Sequence, residues 1–340
     1  MDLTRRQTLV ALGAVGVGAV LFGDDDETGG VALPSDSPRT ERLRPMAGGT
    51  WITPQNLDGF GTLGVGVDDD GTPSAVTNRH VVDEDSNEQP SEIEGRAVYQ
   101  PESDDLLGWV SAASKRGGAG SSDWAVIELA VPHHYTNHTL GFGEVGEPTT
   151  PSEGERVVLD GAPTGLLGGF VERTDVSTNW RGELYDGLIE FTVDENTATS
   201  GASGSVLATW DGSDWRPVGL HAFALDTLRY AIPWSDLPAS VDVTVSGDEP
   251  SPPHAGGVVD GTLVSRSGTT VTAWIANTGG ETTESAVELR TDDDDTLDST
   301  ETTLGALEQT TISLDAGETE TLRLVAGETD RVTNWGYEPE

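Results

Sequence analysis

From Gly48 onward the chain alternates short apolar runs with turn residues at close spacing. Gly61-Thr62-Leu63-Gly64-Val65-Gly66-Val67 leads into the turn Asp68-Asp69-Asp70-Gly71, and Ser74-Ala75-Val76-Thr77 follows. Arg156-Val157-Val158-Leu159, Leu188-Ile189-Glu190-Phe191-Thr192-Val193 and Pro217-Val218-Gly219-Leu220 continue the pattern. Short strands with glycine-rich turns and almost no helical period predict antiparallel barrels or sandwiches. Beyond residue 257 the alternation becomes strict, in Thr270-Val271-Thr272-Ala273-Trp274-Ile275-Ala276-Asn277, Ala286–Arg290 and Glu320–Leu324. Such spacing predicts half-buried strands of a small antiparallel β-sandwich. The fold class read from the pattern is all-β.

The pattern also locates the boundaries. Residues 246–256 are interrupted by Asp248-Glu249-Pro250-Ser251-Pro252-Pro253, which breaks both strand and helix and reads as a linker between units at 48–245 and 257–340. Residues 24–47 are acidic, rich in Gly, Pro and Ser, and without period, and read as a second linker. In residues 1–23 the paired Arg5-Arg6 precede an apolar run that ends at Phe22. The segment resembles a twin-arginine export signal, which implies secretion of an already folded protein. Its apolar run of about 14 residues falls short of the roughly 20 needed to span a bilayer, and no Ala-x-Ala cleavage site follows.

Charge narrows the partners. The 340 residues carry 18 Lys and Arg against 59 Asp and Glu, a formal charge of −41, with Lys115 the sole lysine. That surface repels nucleic acid, and it repels anionic lipid apart from any anchoring by the leader itself. The acids are spread through patterned strands rather than gathered in a tail. This suits a folded protein adapted to molar salt, where screening acts over about 3 Å. With no cysteine, disulfides, a thiol nucleophile and thiolate-bound metals are excluded.

Three strings then bring chemistry. They are Thr77-Asn78-Arg79-His80, Ser122-Asp123-Trp124-Ala125-Val126-Ile127 and Gly201-Ala202-Ser203-Gly204-Ser205. They supply a base, an acid to orient it and a nucleophile in a glycine-rich turn, the set needed for acyl transfer by an activated serine. His80 follows a strand, and Asp123 leads an apolar one that would bury its surroundings. Asp104 and Asp105 compete for the acid role, but they sit in an acidic run and read as having no such strand after them. Ser200 and Ser205 are rival hydroxyls. The glycines allow the tight backbone that aims the amides of Gly201 and Ser203 at a developing oxyanion. An α/β-hydrolase scaffold is excluded, because it places its serine first and its histidine last.

In this order the strings resemble those of chymotrypsin-fold serine proteases of the bacterial and archaeal kind. Gly154–Gly165 resembles the strand and turn that open the second barrel, and Arg229-Tyr230-Ala231-Ile232-Pro233 the last pocket strand. The resemblance covers residues 48–245 and implies two β-barrels. It also implies a His80, Asp123, Ser203 triad, an oxyanion hole from Gly201 and Ser203, a protein or peptide substrate and no cofactor. Ala202 departs from the Asp or Asn of many members, which argues against a switch driven by a freed amino terminus. Val218–Phe223 would pair with substrate as an added strand, with Thr197, His221, Ala222 and Phe223 lining the binding face. In glutamyl endopeptidases of this fold a histidine at the place of His221 faces an acidic substrate side chain. Ala198 stands where those enzymes carry threonine, between Thr197 and Thr199. A second reading keeps the barrels and drops the chemistry, leaving a surface binding protein.

The remaining motifs carry less. Ala276–Thr282 resembles a strand-turn of immunoglobulin-like surface modules, which implies binding or spacing rather than chemistry for residues 257–340; the module's ligand is not legible. His133, His134 and His138 read as solvated loop residues rather than metal ligands. Asn137-His138-Thr139 has the form of a glycan acceptor. Asp292–Asp295 lacks an ordered calcium-loop pattern and reads as a solvated turn.

Overall fold

The computed structural model describes residues 37, 39–41, 43–55, 59–83, 89–100, 105–115, 121–131, 136–194, 200–244, 249–250, 252–253, 256–327 and 329–335. The segment carrying Arg5-Arg6, read as an export signal, and most of the acidic stretch read as a linker lie outside them. Among the described residues no helix is long and apolar enough to cross a membrane.

The first apolar runs become β1 (Trp51–Pro54), β2 (Gly61–Thr62), β3 (Val65–Asp69), β4 (Thr72–Thr77), β5 (Ala97–Gln100), β6 (Asp105–Ala113) and β7 (Ala125–Leu129). They pair in the order β3-β4-β7-β6-β5-β1-β2. Leu63 and Gly64 alone separate β2 from β3, so the two ends of the sheet meet through the chain and the sheet rolls up around its apolar face. Ile52, Leu63, Ala75, Val98 and Ile127 fill the inside. A one-turn helix α1 (Arg79–Val82) leaves the end of β4, and α2 (Pro90–Ile93) precedes β5.

A hairpin of β8 (His138–Thr139) and β9 (Gly143–Glu144) leads to the second barrel. This is built from β10 (Arg156–Gly161), β11 (Gly165–Trp180), β12 (Glu183–Phe191), β13 (Val206–Trp210), β14 (Trp215–Leu225) and β15 (Leu228–Pro233). It is closed, in the order β10-β11-β12-β15-β14-β13. Val157, Leu159, Phe191 and Leu207 pack within it. β16 (Val241–Asp242) returns to pair with β3 at the edge of the first sheet.

The third unit comprises β17 (Val259–Ser267), β18 (Thr270–Asn277), β19 (Thr283–Thr291), β20 (Thr296–Leu304), β21 (Gln309–Asp315), β22 (Thr321–Ala326) and β23 (Thr329–Asn334). Its sheets, β17-β18-β21 and β20-β19-β22-β23, enclose Leu263, Ile275, Val287, Leu289 and Leu324. The expected all-β chain of two barrels and an antiparallel sandwich is what folds. Its strand-turn rests on the buried Asn277, whose amide donates to the carbonyls of Glu281 and Gly305 at 2.8 Å and accepts from the Val258 and Gly279 N–H groups.

Apolar packing does not stop between the units. One cluster joins Val65 and Val76 of the first sheet, Val158 and Leu220 of the second barrel, and Val264 and Trp274 of the sandwich. The Trp274 indole donates to the Gly141 carbonyl at 2.9 Å and lies 4.8 Å from the Trp210 ring. The end of the segment read as a linker is also packed. Arg39, Thr40, Leu43, Met46 and Ala47 are all buried, and Arg39 pairs with the buried Asp160 at 2.7 Å.

Three smaller expectations change. Asp105 does head a strand, β6, and pairs with Arg44 at 2.8 Å. His138 lies in β8 and is half-buried beside the Thr136 hydroxyl, not in a solvated loop; His133 and His134 lie outside the described residues. Asn137 is buried, with its amide nitrogen turned to the Val145 and Val243 carbonyls. No glycan-transferring enzyme reaches it in the folded chain.

Candidate active site

α1 brings His80 to the mouth of a groove between the barrels. Helix and strand junction are locked from below by charge. Arg79, fully buried, donates from Nε and one terminal nitrogen to Asp83 at 3.2 and 3.0 Å, and from the other terminal nitrogen to the Ser114 carbonyl at 2.5 Å. The Ser114 hydroxyl donates to the Ser122 carbonyl at 2.8 Å and accepts the Trp124 N–H at 3.0 Å. Asn78 donates from its side chain to the Asp123 carbonyl at 2.7 Å. Asn78 thus holds Asp123 by its own carbonyl, while Arg79 fixes Ser114, whose hydroxyl grips the residues on either side of Asp123.

Asp123 itself has no solvent exposure. Its carboxylate accepts the His80 backbone N–H at 2.9 Å and faces His80 Nδ1 at 2.5 Å. A carboxylate so placed holds Nδ1 protonated and leaves Nε2 as the basic nitrogen. The His80 ring meets the Trp180 indole edge-on, with centroids 5.0 Å apart. Trp180, at the tip of β11, stacks flat on Phe223 at 4.7 Å and 5°.

The second barrel supplies the serine. Gly201 and Gly204 have φ of +85° and +95°. A Cβ at Gly201 would meet the Trp51 ring at 2.5 Å; one at Gly204 would meet the Thr77 hydroxyl at 2.2 Å and the Thr62 carbonyl at 2.3 Å. Thr62 bridges the barrels, donating its N–H to the Ser203 carbonyl at 2.9 Å and its hydroxyl to the Gly201 carbonyl at 2.8 Å. With the carbonyls held this way, the N–H groups of Gly201 and Ser203 have no acceptor among the described residues. The Ser203 hydroxyl donates to the Ala222 carbonyl at 2.9 Å, not to His80. Ser205 is buried and bonds back to the Ala202 carbonyl at 2.5 Å, which removes it as a rival. Ser200 is exposed at the rim.

His80, Ser203, Gly201, His221, Ala222 and Phe223 thus share one open cleft of about 330 Å³. Asp123 stands behind it. His221 is buried, with Nδ1 3.2 Å from the Tyr230 carbonyl and its ring edge-on to Phe191. Burial lowers its pKa to about 3, although the Tyr230 carbonyl acts in the opposite direction. Tyr230 donates to the buried Glu190 at 2.8 Å, and burial together with that carboxylate pushes the phenol up to about 12. Thr197, with Ala198 and Thr199, lies outside the described residues. Arg79, Asp83, Ser114, Thr62 and Trp180 had no role assigned from sequence. The Arg79–Asp83 spacing within Arg-His-Val-Val-Asp was the one visible signal, since residues four apart share a helix face.

No protein-family model and no curated protein matches this chain. Solved structures similar to it include Thermobifida fusca protease A, at 18% identity over 59% of this chain and 98% of that one, TM-score 0.44. An α-lytic protease homologue, N4, is 24% identical over 58% and 98%, TM-score 0.46. A glutamic-acid-specific serine protease described as using a histidine triad in substrate binding is 16% identical over 58% and 99%, TM-score 0.42.

Proposed function

We propose that this chain is an exported, salt-adapted serine endopeptidase. One observation carries the reading. His80 is oriented through Nδ1 by a fully buried Asp123, on the same cleft as Ser203 and two acceptor-free amides. Ser203 Oγ attacks the substrate carbonyl carbon while His80 Nε2 takes its proton. The oxyanion settles on the amides of Gly201 and Ser203. The C–N bond then breaks as His80 returns the proton to the leaving amine, and water activated by His80 hydrolyses the acyl-enzyme.

The resting hydroxyl is turned toward the Ala222 carbonyl. An extended substrate pairing with β14 presents its own N–H to that strand. Competition for the Ala222 carbonyl frees the serine to rotate toward His80. The rival reading, a binding protein without chemistry, rests on the same turned-away hydroxyl. A serine-directed phosphonate probe decides between them. Label on Ser203 that vanishes in His80→Ala supports the peptidase; folded protein that takes no label supports the binder.

Preference for acidic substrate side chains follows from His221 only where that ring is charged. With Nδ1–H given to Tyr230, the neutral ring has a lone pair on Nε2, which repels a carboxylate. Burial holds that ring neutral, with a pKa of about 3, so the ratio of kcat/KM for Glu over Leu substrates should stay level between pH 8 and 5. A ratio that climbs as pH falls over that window would instead place a charged His221 in substrate selection.

A further inference from the structure

The sandwich grips the second barrel at two places. Asp194, in the segment after β12 with its carboxylate buried, accepts from both terminal nitrogens of Arg156, at 2.5 Å on Oδ1, and from the Thr333 hydroxyl at 2.9 Å. Arg156 also donates from Nε to the Leu263 carbonyl at 2.9 Å, and its guanidinium lies 4.8 Å from Phe170 and 5.5 Å from Trp335. The second grip is on the turn between β10 and β11. Arg331 donates to the Thr164 carbonyl at 2.8 Å, and Asp260 accepts the Leu166 N–H at 2.7 Å.

That turn packs against the neighbours of the nucleophile, Gly201 and Ala202. The Ala162 N–H donates to Thr62 Oγ1, the same hydroxyl that holds the Gly201 carbonyl. A Cβ at Gly161 would sit 3.2 Å from Ala202, and one at Gly201 would lie 3.8 Å from Pro163. Residues of β17 and β23 thus hold Arg156 and Asp194 and fix the turn packed against Ala202. A shift of the Thr164 turn would be passed through Thr62 to the Gly201 carbonyl, and so to the peptide planes carrying the oxyanion amides.

We propose that the carboxy-terminal sandwich is a positioning part of the active site, with Thr333 and Arg331 as its contacts, rather than a separate binding module. The proposal rests on the peptidase reading. Its role is felt where the amides must meet the oxyanion, not where substrate first binds. Loss of one oxyanion donor costs about 10²–10³ in kcat, so partial misplacement is expected to cost about tenfold.

The test uses the full chain carrying Thr333→Val or Arg331→Met, with Thr333→Ser as the conservative control. Each is compared with wild type for kcat, KM and inhibition by a peptidyl boronic acid that mimics the tetrahedral state. The expected result is kcat lowered about tenfold at unchanged KM. Boronate affinity should fall in parallel, and Thr333→Ser should restore both. Hydrogen exchange of the 200–205 peptide provides a readout independent of turnover, and exchange should quicken in Thr333→Val and Arg331→Met. Folded variants with wild-type kcat and wild-type exchange overturn the proposal. Wild type that takes no phosphonate label overturns the peptidase reading itself. A kcat loss without faster exchange in 200–205 overturns the positioning route alone.

Discussion

Buried beneath His80, the Arg79 guanidinium is matched to Asp83 within one helical turn and to the Ser114 carbonyl across the sheet. Taking such charges out of water is costly, and the pair persists because the hydrogen bonds are well made. His221 shows the opposite solution, a titratable ring kept neutral by burial. Its folded pKa of about 3 lies below the ordinary 6.5, so between those values the unfolded chain binds the extra proton. Stability should fall as pH drops from about 6.5 toward 3, by roughly 1 kcal/mol per pH unit from this group. His221→Leu should unfold in urea with a shallower pH dependence over that window; equal slopes would contradict the neutral ring. That His80, Asp123 and Ser203 gather at one cleft was foreseeable from the order of their strings along the chain. Arg79, Thr62 and Ser114 were not, because their roles exist only once distant strands are adjacent.

Among the elements, the nucleophile turn is the most constrained. Gly204 combines φ of +95° with two oxygens inside the space a Cβ needs, one of them backbone. Gly204→Ala must move either the Thr62 carbonyl or the turn. A loss of more than about 2 kcal/mol of stability is expected, with phosphonate labelling slowed in whatever protein folds. An unchanged urea midpoint with wild-type labelling would refute the constraint. The strands themselves were legible where short apolar runs sit between turns, as in β4 and β7, or where apolar residues alternate, as in β18. β6 was hidden by its acidic start at Asp105. The 16-residue β11 was hidden by the register shifts between Val171 and Thr178, which break the period of two. Those shifts let one strand both close the barrel and carry Trp180 out to His80.

For the molecule as a whole, the distribution of charge matters more than its sum. Of 18 basic residues, Arg39, Arg79, Arg156 and Arg229 are buried, so scarce positive charge is drawn inward while the surface stays acidic. Self-repulsion then opposes folding in dilute buffer, and screening relieves it. The urea midpoint should rise steadily from 0.2 M to 3 M salt; a flat response would refute salt adaptation. The acidity itself was plain in the composition, whereas the docking of the sandwich was not, because linker and sandwich each look self-contained in sequence. Docking also sets an order of events during synthesis. Arg331 and Thr333 belong to β23, translated after every other strand described, whereas His80, Asp123 and Ser203 emerge from the ribosome long before. If the bracing operates as proposed, a nascent chain stalled before Thr329 holds all three reactive side chains yet cuts poorly, and its peptidase activity matures only as synthesis reaches the last strand.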